Sequence, residues 1–271
     1  MTVETIEQID EWRNRYSDWQ REHQSVGDNL SDDYPFVENK RAPFVPARRA
    51  LPMLNLALIS SAGGYVDGTE QFDVNADGGD TSFREIPIEV RAEDILFSAR
   101  GYDPQFVQQD INAQVPIARL LEFADNGVIG QLNPAWWSFS GFITDAWRLV
   151  EKLLPGIIER LKRYEVQAAL VIPASRLCHQ SIALVARGIE HAGIPTMMLA
   201  VETDVIEKVR PPRAGFYNGE FGSVAGQPLW PEHQRRVLDE ALRWLEPIDQ
   251  PTIRKLAVEL ESKIEKERGE K

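Results

Sequence analysis

The single thiol in 271 residues is Cys178, and a histidine, His179, follows it directly. Both stand in "VIPASRLCHQSIALVARG", where an apolar, strand-like run ends at Pro173 and a helical pattern begins. Ser175 suits the N-cap of that helix, which sets Cys178 in its first turn. The partial positive charge of a helix N-terminus favours a thiolate there. Arg176 adds positive charge, and His179 offers a base or a hydrogen-bond donor. These are the ingredients of an activated thiol. A free cysteine also serves as a small buried hydrophobe that packs a helix on a sheet, and spacing alone leaves both roles open. A metal site needs about three or four ligands. One cysteine, its neighbouring histidine and the scattered His23, His191 and His233 do not assemble one, so no metal is expected.

Other polar residues fall where a ligand could use them. "ISSAGGYV" ends an apolar run in small residues, and Ser61, Gly63 and Gly64 would let a ligand or a turn approach the backbone. In "GGDTSFREIP", Asp80, Ser82 and Arg84 alternate, which places them on one face of an extended segment. Arg84 could clamp a carboxylate through two hydrogen bonds while Asp80 holds an amine; a solvated edge with a local ion pair is the plainer alternative. "YDPQFVQQDIN" offers Tyr102, Asp103, Asp110 and Asn112, types that also make turns and caps. Arg210 and Arg213 flank Pro-Pro, in a rigid loop that could meet an anion.

The elements that must position these groups follow from periodicity. Ile6, Ile9, Trp12, Tyr16 and Trp19, with Val3, recur every three or four residues, the pattern of one helix face over 2–24. Residues 25–52, with "YPFVENKRAPF", read as an extended arm carrying aromatic anchors. Leu54 to Ile59 is apolar but for Asn55, as in a strand covered on both faces of a parallel sheet. Short strands are expected in "TSFREIPIEV" and "DILFSARG". A helix is expected in "DINAQVPIARLLEFADNGVIG", with Val115, Ile117, Leu120, Leu121 and Phe123 inward and Asn126-Gly127 as its stop. A long helix kinked at Pro155 follows. After it come a strand in "QAALVIPAS", the Cys178 helix, a strand in "IPTMMLAVE", and a helix in "WPEHQRRVLDEALRWL". This alternation implies an α/β fold: a layered α/β/α domain over 51–246 with a mainly parallel sheet. Residues 1–50 precede it as helix and arm, and a charged helical tail, 247–271, follows. Ligands in such folds sit at the C-terminal ends of strands. Residues 60–65, 80–84 and 175–180 are therefore expected to share one pocket.

Several stretches, in order, resemble the B-type subunits of the glycine, sarcosine, betaine and D-proline reductases. "VIPASRLCHQSIALVARGIEHAGIPTMML" is similar to the segment in which that family carries selenocysteine-x-x-Cys, and it most resembles the smaller D-proline reductase type. "ISSAGGYV", "GGDTSFREIP", "YDPQFVQQDINAQVPIARLLE", "GVIG", "VRPPR" and the late "VLDEALRWL" extend the resemblance over about residues 50–245. It implies reductive C–N cleavage of a small amino-acid-like or amine substrate. It further implies a pyruvoyl group on a partner subunit, no cofactor in this chain, and a protein that recycles the oxidised centre. The selenocysteine position falls on Ser175, and Cys178 has no second thiol in the chain. The resemblance therefore implies a divergent subunit that works through a lone reactive thiol, with catalysis carried by Cys178, Ser175 and His179. A binding or regulatory subunit that keeps the fold is the alternative. Non-redox thiol chemistry of the racemase type ranks last, because it uses two facing cysteines.

Bulk composition narrows the setting. Thirty Lys and Arg against 42 Asp and Glu leave a formal charge of −12, which disfavours nucleic acid or an anionic membrane surface as partner. No apolar run reaches the roughly 20 residues of a membrane span, and the acidic amphipathic N-terminus does not read as a signal peptide. One cysteine fits a cytoplasmic protein. The face bearing Trp12 and Trp19, together with the aromatic arm, is apolar enough to predict a homo-oligomer.

Overall fold

The computed structural model describes residues 4–23 and 30–258. Within them, strands and helices alternate as their patterns dictate. Helix α1 spans Ile9–Glu22, and an extended arm leads to β1 (Asn55–Ser60), β2 (Gly64–Val66), β3 (Arg84–Pro87) and β4 (Ile95–Phe97). Then come α2 (Gln105–Gln109), α3 (Ile117–Asp125), β5 (Gln131–Leu132), β6 (Ala135–Ser138), α4 (Ala146–Arg148) and α5 (Leu154–Arg163). The unit β7 (Ala168–Ile172), α6 (Arg176–His191) and β8 (Thr196–Ala200) follows. The last elements are α7 (Thr203–Val209), β9 (Arg213–Phe216), α8 (Pro231–Arg243) and β10 (Thr252–Lys255).

Among the described residues the main sheet runs β10-β9-β8-β7-β1-β6-β3, with β5 also on β1. Its pairings are parallel except β3 against β6. The central strands are buried on both faces. Leu56, Leu58, Leu170, Ile172 and Leu199 pack on one side with α3 and α8. Ala57, Ile59, Ala169, Val171 and Met198 pack on the other with α5, α6 and α7. This is the expected layered α/β domain.

Helix α6 is buried from Leu177 to Glu190, so its polar side chains need internal partners. They find them in the N-terminal segment and the arm. The Arg187 guanidinium donates to the carbonyls of Glu4, Thr5, Arg41 and Arg210 at 2.5–2.8 Å. Gln180 accepts from Val37 N at 2.7 Å and donates to Tyr34 Oη at 2.9 Å. Glu190 accepts from Val45 N and Thr196 N and pairs with Arg213 at 2.7 Å, both side chains being fully buried. Trp12, Tyr16 and Trp19 are buried within the chain itself, against the arm and the loop carrying Thr144. The apolar face that predicted an oligomer is thus covered internally, and that ground for an oligomer falls away.

Several local expectations need correction. The helix expected from Asp110 starts at Ile117, because Pro116 lacks a backbone donor and suits a helix start; Ile111–Ala113 form a separate single turn. Leu121 points outward, 37% exposed. The long helix is not uniform at Pro155: a π-helical stretch, Leu149–Leu153, precedes the proline, which stands in the first turn of α5. Arg213 is no anion receptor, since it lies in a strand and is held by Glu190. Arg210 is the C-cap of α7. Within the tail, Thr252–Lys255 pair with β9 as an edge strand instead of a helix; residues 259–271, and Val3 at the other end, lie outside the described residues.

Candidate functional site

The chain leaves β1 toward β6 on one side and, after α5, continues with β7 on the other. The sheet order therefore reverses between β1 and β7, and the crevice beyond the C-terminal ends of those strands is the ligand position of open α/β folds. Ser61 follows β1 and Ser175 follows β7. The two loops meet there, with Ser61 N donating to Ile172 O at 3.1 Å.

Ser175 caps α6 as expected. Its backbone is extended, and its Oγ accepts from Cys178 N at 3.3 Å. Cys178 is 1% exposed. Its Sγ donates to the Ser61 carbonyl at 3.7 Å, and it packs with Ala62 and Ala174 under the rings of Phe97 and Tyr102. Gly141 is essential to this packing: a Cβ there would stand 2.5 Å from Ser61 Cβ and 2.7 Å from Sγ. Ser61 is itself 1% exposed, and its Oγ has no hydrogen-bond partner.

His179 is fully buried and faces a different task. A carbonyl can only accept, so Nδ1 donates to Ser175 O at 2.7 Å, and Val201 N donates to Nε2 at 3.0 Å. Both ring nitrogens are taken by backbone, which corrects its assignment as a base beside the thiol. Burial, opposed by the Ser175 contact, lowers its pKa to about 4, so the ring is a neutral bridge between α6 and β8. Arg176 pairs with Asp204 at 2.8 Å and approaches Asp32 at 3.7 Å. Burial first, then a hydrogen bond with Asp204, raises Glu202 to about 7.

Two loops close over the thiol. Tyr102 Oη donates to Ala62 O at 2.7 Å. Burial pushes its ionisation well above the ordinary range. Gly222 N donates to Ala174 O at 3.0 Å, and Gly222 sits against the Tyr102 ring. Phe221 meets His179 edge-on, with ring centroids 5.8 Å apart. On the outer side Gly101 lies between Ser175 Oγ and the Phe142 ring. Phe142 in turn walls a cavity of about 460 Å³ lined by Tyr16, Trp19, Asp77, Arg100 and Thr144.

The other predicted residues hold structure together. Asp80 accepts from Ser82 N, Ser82 Oγ and Asp73 N at 2.6–2.9 Å. Burial would raise its pKa, but these hydrogen bonds prevail and lower it. Arg84 donates to Ser82 Oγ and to the carbonyls of Glu70 and Gln71, and lies over the Phe72 ring. Ser60, Ser138 and Arg84 are in register across β1, β6 and β3. Arg84 therefore stands two strand spacings, about 10 Å, from the thiol-bearing crevice. Asp80 and Ser82 lie in the loop before β3, not on the strand. Asp110 ties Asn112, Leu229 N and Gln234 together, and Asn112 Oδ1 accepts from Ala118 N. Gly63, at positive φ, lets Ser98 O approach, and Gly64 packs on Trp136. His23 lies with Glu22 and Asp33 at the surface.

No family model and no solved structure matches the chain. Curated relatives do. The D-proline reductase subunit gamma of Acetoanaerobium sticklandii is 33% identical over 202 residues, 74% of this chain and 82% of the relative. This chain is a member of the D-proline and glycine reductase B-subunit family. The glycine reductase component B subunit gamma of Symbiobacterium thermophilum is 28% identical over 63% of this chain. The sarcosine reductase component B subunit beta of Peptoclostridium acidaminophilum is 26% identical over 64%. The chain spans about two fifths of the length of these last two reductase subunits. For this reductase-family chain, Gly141, Gly101 and the 217–226 loop complete the thiol's surroundings and were missed in the sequence. "SFSGF" after a Trp-Trp pair was the available signal, since small residues end β6 as they end β1.

Proposed function

We propose that this chain is the thiol-bearing subunit of a reductase complex that cleaves a C–N bond in a small amino-acid-like or amine substrate, with Cys178 as the reacting group. The reading is carried by one observation: the single thiol stands in the first turn of α6 at the sheet's switch point, beside the unpartnered hydroxyl of Ser61. In this reading Ser175 takes the selenocysteine position and serves as the helix cap. In the proposed cycle the Cys178 thiolate attacks the α-carbon, so that a C–S bond forms, the C–N bond breaks and the nitrogen leaves as an amine with a proton. A thiol of a partner protein then attacks Sγ; an S–S bond forms, the C–S bond breaks and the carbon takes a proton. Two thiols thus supply the two electrons, and a dithiol reductant restores them. Activation of the amine falls to a partner subunit, where a pyruvoyl group would supply it; this chain contributes no cofactor. The cavity beyond Gly101, with Arg100, Asp77 and aromatic walls, suits a zwitterion of that size. A single free cysteine supports a cytoplasmic setting.

The experiment is amine release from glycine and sarcosine, and ring opening of proline to the 5-amino acid, by the assembled complex with a dithiol. Cys178→Ala should abolish it and Ser175→Ala should retain part. Wild-type turnover by Cys178→Ala would refute the reading. The second reading, a binding subunit without catalysis, is favoured by the 1% exposure of Cys178 and the full engagement of His179; substrate binding without amine release in any assembled complex would select it.

A further inference from the structure

Ser61 offers the thiol two groups suited to opposite charge states. Its carbonyl accepts from Sγ at 3.7 Å, a bond that lasts only while sulfur keeps its proton. Ionisation turns that oxygen into a repulsive neighbour, so a thiolate needs another donor. The other serine hydroxyls at the crevice are occupied: Ser60 Oγ accepts from Ala62 N at 3.4 Å, Ser175 Oγ accepts from Cys178 N, and Ser181 Oγ donates to Gly141 O at 2.8 Å. Ser61 Oγ alone of these four is buried without a partner. Such an orphan costs stability, and its retention next to a thiol has a chemical explanation. The point where Gly141 would carry a Cβ lies 2.9 Å from Ser61 Oγ and 2.7 Å from Sγ, so both groups border the space beside Gly141.

The surrounding charges leave this task to dipoles. Arg176, on the same turn of α6, is paired with Asp204 and Asp32. His179 is neutral and faces Ser175 O and Val201 N. Tyr102, packed against the thiol from the covering loop, is neutral and donates to Ala62 O.

We propose that Ser61 is the positioning residue of the thiol: its carbonyl holds the resting S–H, and its hydroxyl rotates to donate to the sulfur once Cys178 ionises. The inference rests on the reading of Cys178 as a working thiol.

The test is the pH profile of iodoacetamide alkylation of Cys178 in the native full chain. Loss of a charge-assisted hydrogen bond should move the midpoint of Ser61→Ala up by about one pH unit and slow alkylation at pH 7 about tenfold. Ser61→Thr, which keeps the hydroxyl, should retain the wild-type midpoint. Ser138→Ala should too, because it removes a buried orphan hydroxyl from the other face of the sheet, by Trp136. A Ser61→Ala midpoint equal to wild type overturns the inference while the working-thiol reading stands. Alkylation of wild type only at its global unfolding rate overturns both.

Discussion

Replacing His179 with glutamine should remove a titration from the centre of the fold while leaving its two hydrogen bonds possible, since an amide can donate to Ser175 O and accept from Val201 N. The folded pKa is lowered from 6.5 to about 4, chiefly by burial. A depressed histidine binds its proton more readily in the unfolded chain, so its contribution is fully present above 6.5 and is lost as pH falls toward 4. The difference amounts to about 3 kcal/mol at 1.36 kcal/mol per unit, most of it spent by pH 4.5. Glu202 and Glu190, both raised to about 7 mainly by burial, act in the opposite sense, with stability lost as pH rises through 7. Asp80 and Asp110, both lowered, matter only below about their ordinary 3.8. Because these terms are common to both proteins, the variant isolates the histidine. Urea unfolding at pH 7.5 and pH 4.5 should show wild type losing about 2.5 kcal/mol more than His179→Gln on acidification. Equal losses would refute the neutral bridge. The variant should also alkylate at Cys178 at the wild-type rate; a large drop would restore the histidine as the thiol's base.

Gly141→Ala should cost about 2 kcal/mol in denaturant melts, because the added methyl meets both Ser61 and Sγ. Glu190→Ala strands the buried Arg213 guanidinium and should cost about 3–5 kcal/mol. It should also make the chain near Val45 sensitive to limited proteolysis, since Glu190 and Arg213 both hold that backbone. Tyr102→Phe deletes the hydrogen bond to Ala62 O; labelling of Cys178 should quicken several-fold, with a melting temperature within about 4 °C of wild type.

The parallel sheet was legible because Leu56 to Ile59, Ala168 to Ile172 and Met197 to Ala200 are apolar without alternation, the pattern of strands covered on both faces. The Ser175 cap and the thiol's place in the first turn were legible too, since they follow from local capping chemistry. Arg84 and Asp80 were misplaced because alternation states a shared face and says nothing of the carbonyls of Glu70 and Gln71 that occupy the guanidinium. His179 was misread for the same reason: adjacency to Cys178 along a helix turns the two side chains about 100° apart, and the partners of the ring lie on β8. The role of Gly141 depends on a crossing of β1, β6 and α6 that joins residues about 40 and 80 positions apart, and no local pattern encodes it.

If Cys178 is the reacting group, substrate carbon becomes bonded to its sulfur. In the assembled complex, incubated with substrate and without a thiol reductant, peptide mapping by mass spectrometry should find on the peptide holding Cys178 the mass of glycine or sarcosine less its amine, or the whole mass of ring-opened proline, and no such adduct in Cys178→Ala. Turnover with Cys178 unmodified, or the same adduct on another residue, would contradict that role.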